Sequence, residues 1–183
     1  MKSFTSQNQS VYVSKDEVAV IVSLMHWCTC TCSYVMAPWV LFYRPCLDGF
    51  VLSHLEERHA EVLAQSWPYF NNISARTHYF KNLLKQLNSV GIFSQEDPDT
   101  PIAWCVEYVY GQPANLFVKA EYRRRGFASL MMRHMCECIE AKGLVPVVSV
   151  DPDNHGSLEL MRKLGFVKYG CRDYIPIGSG WCW

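Results

Sequence analysis

The chain has 183 residues, half of them apolar, and its 17 basic side chains balance 17 acidic ones. That length fits one domain with a substantial core. The zero net charge excludes a global positive field for nucleic acid or an anionic membrane, so any anion site must be local. Nine cysteines without a CxxC pair or a small-domain framework point to reduced thiols, hence an intracellular compartment.

From Val18 to Tyr43 there is no Asp, Glu, Lys or Arg. The run is long enough to span a bilayer, which needs about 20 mainly apolar residues. It is diluted, however, by His26, Trp27, Pro38 and several Thr and Ser residues. Cys28, Cys30 and Cys32 alternate with Thr29, Thr31 and Ser33, the period of a strand with one apolar face. Two buried strands are therefore expected here, with membrane insertion of residues 18–43 as the alternative. Thiols spaced along one strand lie too far apart to close around a zinc ion, so no metal site is expected. The polar start and the length of the apolar run also argue against a cleaved leader.

After Cys46 the texture becomes short periodic segments separated by turn residues. Phe50 to Leu55 is predicted as a strand. Leu55, His59, Val62, Leu63, Ser66 and Trp67 then recur at helical spacing until Pro68. A second helix follows "NNISA", with Phe80, Leu83, Leu84 and Leu87 on one face and Gly91 beyond its end. "GIFS" and "PIAWCVEYVY" flank the turn "QEDPDT", and "GQP" turns the chain into "ANLFV". Three antiparallel strands are expected.

The stretch "EYRRRGFASLM" stands between that last strand and a helix striped by Phe127, Leu130, Met131, His134, Met135 and Cys138. A glycine turn at a helix start suits phosphate, because the first backbone N–H groups have no intrahelical partner and the macrodipole favours an anion there. Gly126 and the small Ala128 let the backbone approach closely, and Arg123 and its neighbours add charge. Taken alone, RxxGxA is better explained by a solvated basic helix start. After Lys142-Gly143, "LVPVVSVD" is a further strand, and "DPDNHGSLELMRKLGFVKY" reads as loop, helix and strand. Asp153 or Asn154 caps that helix, Ser157, Leu160, Met161 and Leu164 form its buried face, and Gly165 ends it before a last pair of strands. Two consecutive βα units imply two adjacent parallel strands, splayed at the centre of a mostly antiparallel sheet.

RxxGxA after a strand, followed by NxxSxxLxxxLGF, resembles motifs A and B of the GNAT acyltransferase superfamily. "WPYF", "PIAWCVEYVYGQ", "EYRRRGFASLMM" and "DNHGSLELMRKLGF", in that order, resemble more closely the acyltransferase domain of the glycine N-acyltransferase-like proteins. The resemblance covers 46–183, leaving 1–45 as an N-terminal extension of unclear structure. Because that family has a longer chain with an upstream domain, a shortened form is expected.

The resemblance implies an α/β (α+β) GNAT fold, a mixed, mostly antiparallel sheet with helices on both faces. It implies acyl-CoA or acetyl-CoA as co-substrate and no metal. It places pantetheine along Leu116, Phe117 and Val118, and pyrophosphate on Arg123, Arg124, Arg125, Gly126, Phe127 and Ala128. It puts Asn154 near the thioester at the splay, and counts Asn154 and Ser157 among the residues that bind the co-substrate. The implied chemistry is direct attack by glycine or another small amine on the thioester, with a backbone N–H of the bulged fourth strand holding the oxyanion. A mitochondrial location is implied, with a cytoplasmic one as the alternative.

Two positions depart from the family pattern. Gln112 occupies the place of a glutamate general base and Met161 that of a tyrosine general acid; neither transfers a proton. Losing the acid matters less, since a thiol of pKa about 8.5 leaves readily as thiolate. A positioned base contributes about 10² to 10⁴ in rate. Glu107, Tyr110, Asp151 and His155 are possible substitutes, each also explained as a strand-surface group (Glu107, Tyr110), a turn former (Asp151) or a solvated first-turn residue (His155). The alternatives are thus a weak or inactive acyl-CoA-binding module, an N-acetyltransferase acting on a protein or polyamine amine, and a membrane-tethered form of either.

Overall fold

The computed structural model describes residues 31–36, 48–67, 72–108 and 111–172. In chain order the elements are β1 (Thr31–Met36), β2 (Phe50–Ser53), α1 (Ala60–Ser66), α2 (Ile73–Gln86), β3 (Ser89–Ser94), β4 (Pro101–Tyr108), β5 (Gln112–Val118), α3 (Phe127–Glu140), β6 (Val147–Val150), α4 (His155–Lys163) and β7 (Phe166–Arg172). Short 3-10 turns, Glu57–His59 and Ala120–Tyr122, precede α1 and α3.

The apolar run of β4 fills two cores at once. All of its residues from Pro101 to Glu107 are buried, because successive side chains of a strand point to opposite faces and both faces are covered. Ala103 and Cys105 join a first core with Met131, Met135 and Cys136 of α3, Met161 of α4, Val148 and Val150 of β6 and Phe166 of β7. Trp104 and Val106 join a second core with Leu63 and Ala64 of α1 and Tyr79, Phe80 and Leu83 of α2. Each large side chain so buried contributes about 1.5–3 kcal/mol.

Strands β2-β3-β4-β5 form one antiparallel sheet and β6-β1-β7 a second. The expected pair of adjacent parallel strands is thus divided between two sheets: no ladder joins β5 to β6 among the described residues. The first core bridges the division. Strand β1 lies in the N-terminal stretch set apart by the sequence reading, yet it is the middle strand of the second sheet, antiparallel to both β6 and β7.

Several boundaries move for physical reasons. Strand β2 ends at Ser53, and Leu55 turns into the second core. Helix α2 stops at Gln86, with Leu87 already extended. Gly91 lies inside β3, where a Cβ would come within 2.7 Å of the Leu55 side chain and 2.9 Å of the Phe93 ring. "GQP" is only partly a turn, since Gln112 and Pro113 open β5; an edge strand tolerates proline. The strand expected over 144–151 covers Val147–Val150 alone, leaving Leu144 and Val145 exposed. Residues 18–30 and 37–43 lie outside the described residues, as does any strand after β7. Among the described residues no helix is long and apolar enough to cross a membrane.

Candidate active site

Strand β5 is bulged where it passes Cys105. Val106 pairs with Ala114, but Trp104 pairs with Phe117, so β5 carries one residue more than β4 over this interval. The extra residue is accommodated by Asn115 in the left-handed region, φ 46°; asparagine enters that region more easily than most residues. The Cys105 thiol donates to the Ala114 carbonyl at 3.5 Å. Past the bulge, Leu116 and Val118 pack on the first core, and Phe117 stacks on Trp104 with ring centres 4.6 Å apart. A ladder holds one edge of β5. Its other edge faces the division between the sheets, where backbone groups can pair with an extended amide-bearing chain.

The end of β5 runs directly into the head of α3. Arg124 and Gly126 both have positive φ, 65° and 86°, and the first helical bond runs from Leu130 N–H to the Gly126 carbonyl at 3.0 Å. The N–H groups ahead of it point out of the helix end, where the macrodipole is positive. Glycine at 126 is required by the backbone as well as by the close approach predicted from sequence. Phe127 anchors the turn, buried edge-to-face against Phe50 at 5.0 Å. The three arginines do different things. Arg123 Nε donates to the Val118 carbonyl at 3.1 Å, tying the loop to the strand end. The Arg125 guanidinium lies 5.4 Å from the Tyr122 ring centre and 6.0 Å from that of Phe50, while Arg124 is exposed. Ala128 is half-buried in the first turn.

Across the division, β6 leads through a short loop into α4. Of the two expected caps, Asn154 is the one used: its Oδ1 accepts from Ser157 N–H at 3.1 Å, and its amide NH₂ is not needed by that cap. Ser157 is half-buried. Asp151 forms the turn, its Oδ1 accepting from Asp153 N–H at 2.9 Å, and His155 is exposed. Met161 is 2% exposed and sits in the first core.

The residues weighed for proton transfer are dispersed. Gln112 is buried at the first position of β5, opposite Tyr108. Opposed residues share a face, so it lies on the side of Val106 and the second core. Glu107 is not the strand-surface group expected. It is buried, and Lys142 Nζ donates to both its oxygens at 2.8 and 2.7 Å while Asn88 Nδ2 donates at 2.6 Å. A carboxylate so paired is held by donors rather than open to an incoming amine. Tyr110 lies outside the described residues. Sequence reasoning missed Lys142 and Asn88, which are 35 and 19 residues from Glu107; no local pattern links them. Among the described residues no group of three His, Cys, Asp or Glu side chains could hold a metal ion.

Residues 89–175 match the family model of FR47-like protein. Among solved structures, a Drosophila protein is 21% identical, with a TM-score of 0.65 over 81% of this chain and 52% of that one. An acetyltransferase from the GNAT family of Colwellia psychrerythraea is 15% identical, with a TM-score of 0.62 over 87% of this chain and 61% of that one. The aminoglycoside N-acetyltransferase AAC(6')-Iy, in complex with the bisubstrate analogue CoA-S-monomethyl-acetylneamine, is 20% identical, with a TM-score of 0.53 over 65% of this chain and 91% of that one. The chain therefore spans between about half and three fifths of the first two proteins. A comparison with curated proteins finds no match. The fold is the GNAT fold, an α/β fold with a four-stranded antiparallel sheet.

Proposed function

We propose that the protein is an acyl-CoA-dependent N-acyltransferase that transfers an acyl group to glycine or another small amine. The observation that carries this reading is the continuity of the open edge of β5, bulged at Asn115, with the Gly126 turn at the head of α3. An acyl-CoA is an extended amide-bearing arm that ends in a pyrophosphate. Leu116 to Val118 offer backbone partners to the arm, and the N–H groups at the start of α3 suit the pyrophosphate, with Arg123 to Arg125 beside them. Asn154 stands on the far wall of the division. The amine nitrogen attacks the thioester carbonyl, the carbon–sulfur bond breaks, CoA leaves as thiol or thiolate, and the nitrogen loses its proton. Support for an amine acceptor comes from AAC(6')-Iy, whose bound analogue joins CoA to an aminoglycoside. Release of free thiol from acetyl-CoA and longer acyl-CoAs, measured with a panel of amines including glycine, a polyamine and a peptide amine, tests the reading. Acyl-CoA-dependent thiol release that requires one class of amine supports it; no release with any pair refutes it.

A second reading, a weak or inactive acyl-CoA-binding module, is favoured by the proton-transfer positions. Gln112 carries no titratable group, Glu107 is engaged by Lys142 and Asn88, and Met161 is in the core. Saturable binding of acyl-CoA without turnover would decide for it.

A further inference from the structure

The β5 bulge turns on Asn115, whose side-chain nitrogen Nδ2 is sealed from solvent and has no hydrogen-bond partner among the described residues. A buried amide NH₂ left unpaired is rare in a folded protein and calls for an explanation. Backbone conformation does not supply one. At φ 46° a glycine would serve the bulge at least as well, and would bring no amide to satisfy. A second polar atom of the same kind lies across the division between the sheets. Ser149 Oγ, on β6, is also buried and without a partner among the described residues, and Cα atoms of β5 and β6 come within 8 Å of each other. Each wall of the division thus carries a polar side-chain atom that a ligand lying between them could pair.

We propose that Asn115 is a catalytic residue whose Nδ2 donates to the carbonyl oxygen of the acyl thioester, an inference that rests on the acyl-CoA reading above. An arm that starts from a pyrophosphate at Gly126 and follows Val118, Phe117 and Leu116 meets Asn115 next. That is where the thioester falls. Asn115 as a whole is half-buried, and the terminal torsion of an asparagine is broad, so a modest turn of the amide brings its nitrogen to a carbonyl at the strand edge.

When the amine attacks, the new N–C bond forms and the π pair of the carbonyl moves onto oxygen, where the Nδ2–H donor stabilises the developing charge. The pair then returns, the C–S bond breaks, and sulfur leaves with the bonding electrons. The proton shed by nitrogen passes through water to that sulfur. A carboxamide gives the oxyanion a hydrogen bond without transferring a proton, so it works in a site where Gln112 and Met161 transfer none.

The test uses the full chain and two variants that tolerate the left-handed backbone, Asn115→Gly and Asn115→Asp. The probe is acetyl-CoA labelled with carbon-13 at the thioester carbonyl, read by infrared difference spectroscopy. Calorimetry gives its affinity, and thiol release with the fastest amine of the panel gives kcat. Binding to the natural chain should move the labelled carbonyl band to lower frequency. In Asn115→Gly most of that shift should vanish and kcat should fall about 10²- to 10³-fold, while affinity for acetyl-CoA stays within about threefold. Asn115→Asp, which has no donor when ionised, should lose at least as much. An unchanged band and kcat in Asn115→Gly overturn the proposal. So does a fall in Tm and affinity with kcat retained, which marks a purely structural amide. If the natural chain binds acetyl-CoA without turnover, the band alone decides. No binding of acetyl-CoA or of longer acyl-CoAs by the natural chain overturns the acyl-CoA reading, and this role with it.

Discussion

Lys142 places its ammonium 2.7 Å from a carboxylate oxygen of Glu107 whose side chain is only 3% exposed. Removing one partner of a fully buried pair costs about 3–5 kcal/mol because a charge is left uncompensated. The Lys142 side chain is 40% exposed, so solvent takes up part of that loss. Lys142→Met should therefore lower unfolding free energy by about 1–3 kcal/mol. Glu107→Gln, which removes the charge that needs a partner, should cost less. Urea denaturation of the two variants decides the matter, and equal losses would show that the pair is not the source of the effect.

Gly126 adopts φ 86° at the head of α3, a conformation that costs an ordinary L-residue roughly 1–2 kcal/mol. Gly126→Val should thus destabilise the fold by at least that amount while blocking the phosphate seat. Gly126→Asn separates the two effects, because asparagine tolerates the left-handed region yet places a side chain where the anion would lie. That variant should melt close to the natural chain and bind acyl-CoA at least tenfold more weakly in calorimetry. Arg123→Ala should weaken binding less, and by an amount that shrinks as salt rises. Unchanged affinity in Gly126→Asn would remove the phosphate seat from α3.

The helices and the helix caps were readable because their signals are local. The stripe of Phe127, Leu130, Met131 and Met135 matches the buried face of α3, although His134 and Cys138 are only half-buried at its margin and Met132, Cys136 and Ile139 extend it. The Asn154 cap is likewise legible from a polar residue three positions before Ser157. What escaped depends on pairing at a distance. The alternation of Cys28, Cys30 and Cys32 announced a strand, but nothing in it names β6 and β7 as neighbours. The bulge in β5 has only Asn115 as a cue, and a lone asparagine in an apolar strand has many explanations. Glu107 read as exposed because a single acid at the end of an apolar run usually is; its lysine arrives from the far end of α3.

His59 gives stability a pH dependence. The residue is 3% exposed and its Nδ1 accepts the Glu56 N–H at 2.8 Å, a bond that a proton on Nδ1 would abolish. Burial, and then the Arg58 charge, hold its pKa below the ordinary 6.5. The unfolded chain therefore binds a proton more readily than the folded one, so this contribution is complete above about pH 6.5 and is lost as pH falls below it. Urea midpoints measured at pH 7.5 and 5.5 should show a larger fall for the natural chain than for His59→Asn, whose short amide has no such titration. Parallel falls in both chains would acquit His59.

Gln112 offers the sharpest test of the catalytic reading, because the structure adds burial to a position that the resemblance associates with the general base. An α-amino group has a pKa of about 7.7–8.0 in peptides, so a fraction on the order of a tenth is already unprotonated near neutrality, and somewhat less for a free amino acid. An enzyme without a base can therefore turn over slowly, with kcat/KM climbing as pH rises through the titration of the amine. Gln112→Glu would install a carboxylate at the start of β5, on the face shared with Val106 and Tyr108. Desolvation there raises a carboxyl pKa toward neutrality, which improves it as a base but weakens its charged form. The variant should gain about tenfold or more in kcat/KM at pH 6.5–7, part of the 10² to 10⁴ typical of a well-positioned base, and its profile should be flatter up to pH 9.5. Its Tm should fall slightly, since a charge has been placed in a site built for an amide. A variant that folds and binds acyl-CoA yet shows no gain at low pH would remove Gln112 from the amine's surroundings. If both chains bind acyl-CoA and neither turns over with any amine, the protein is a binding module.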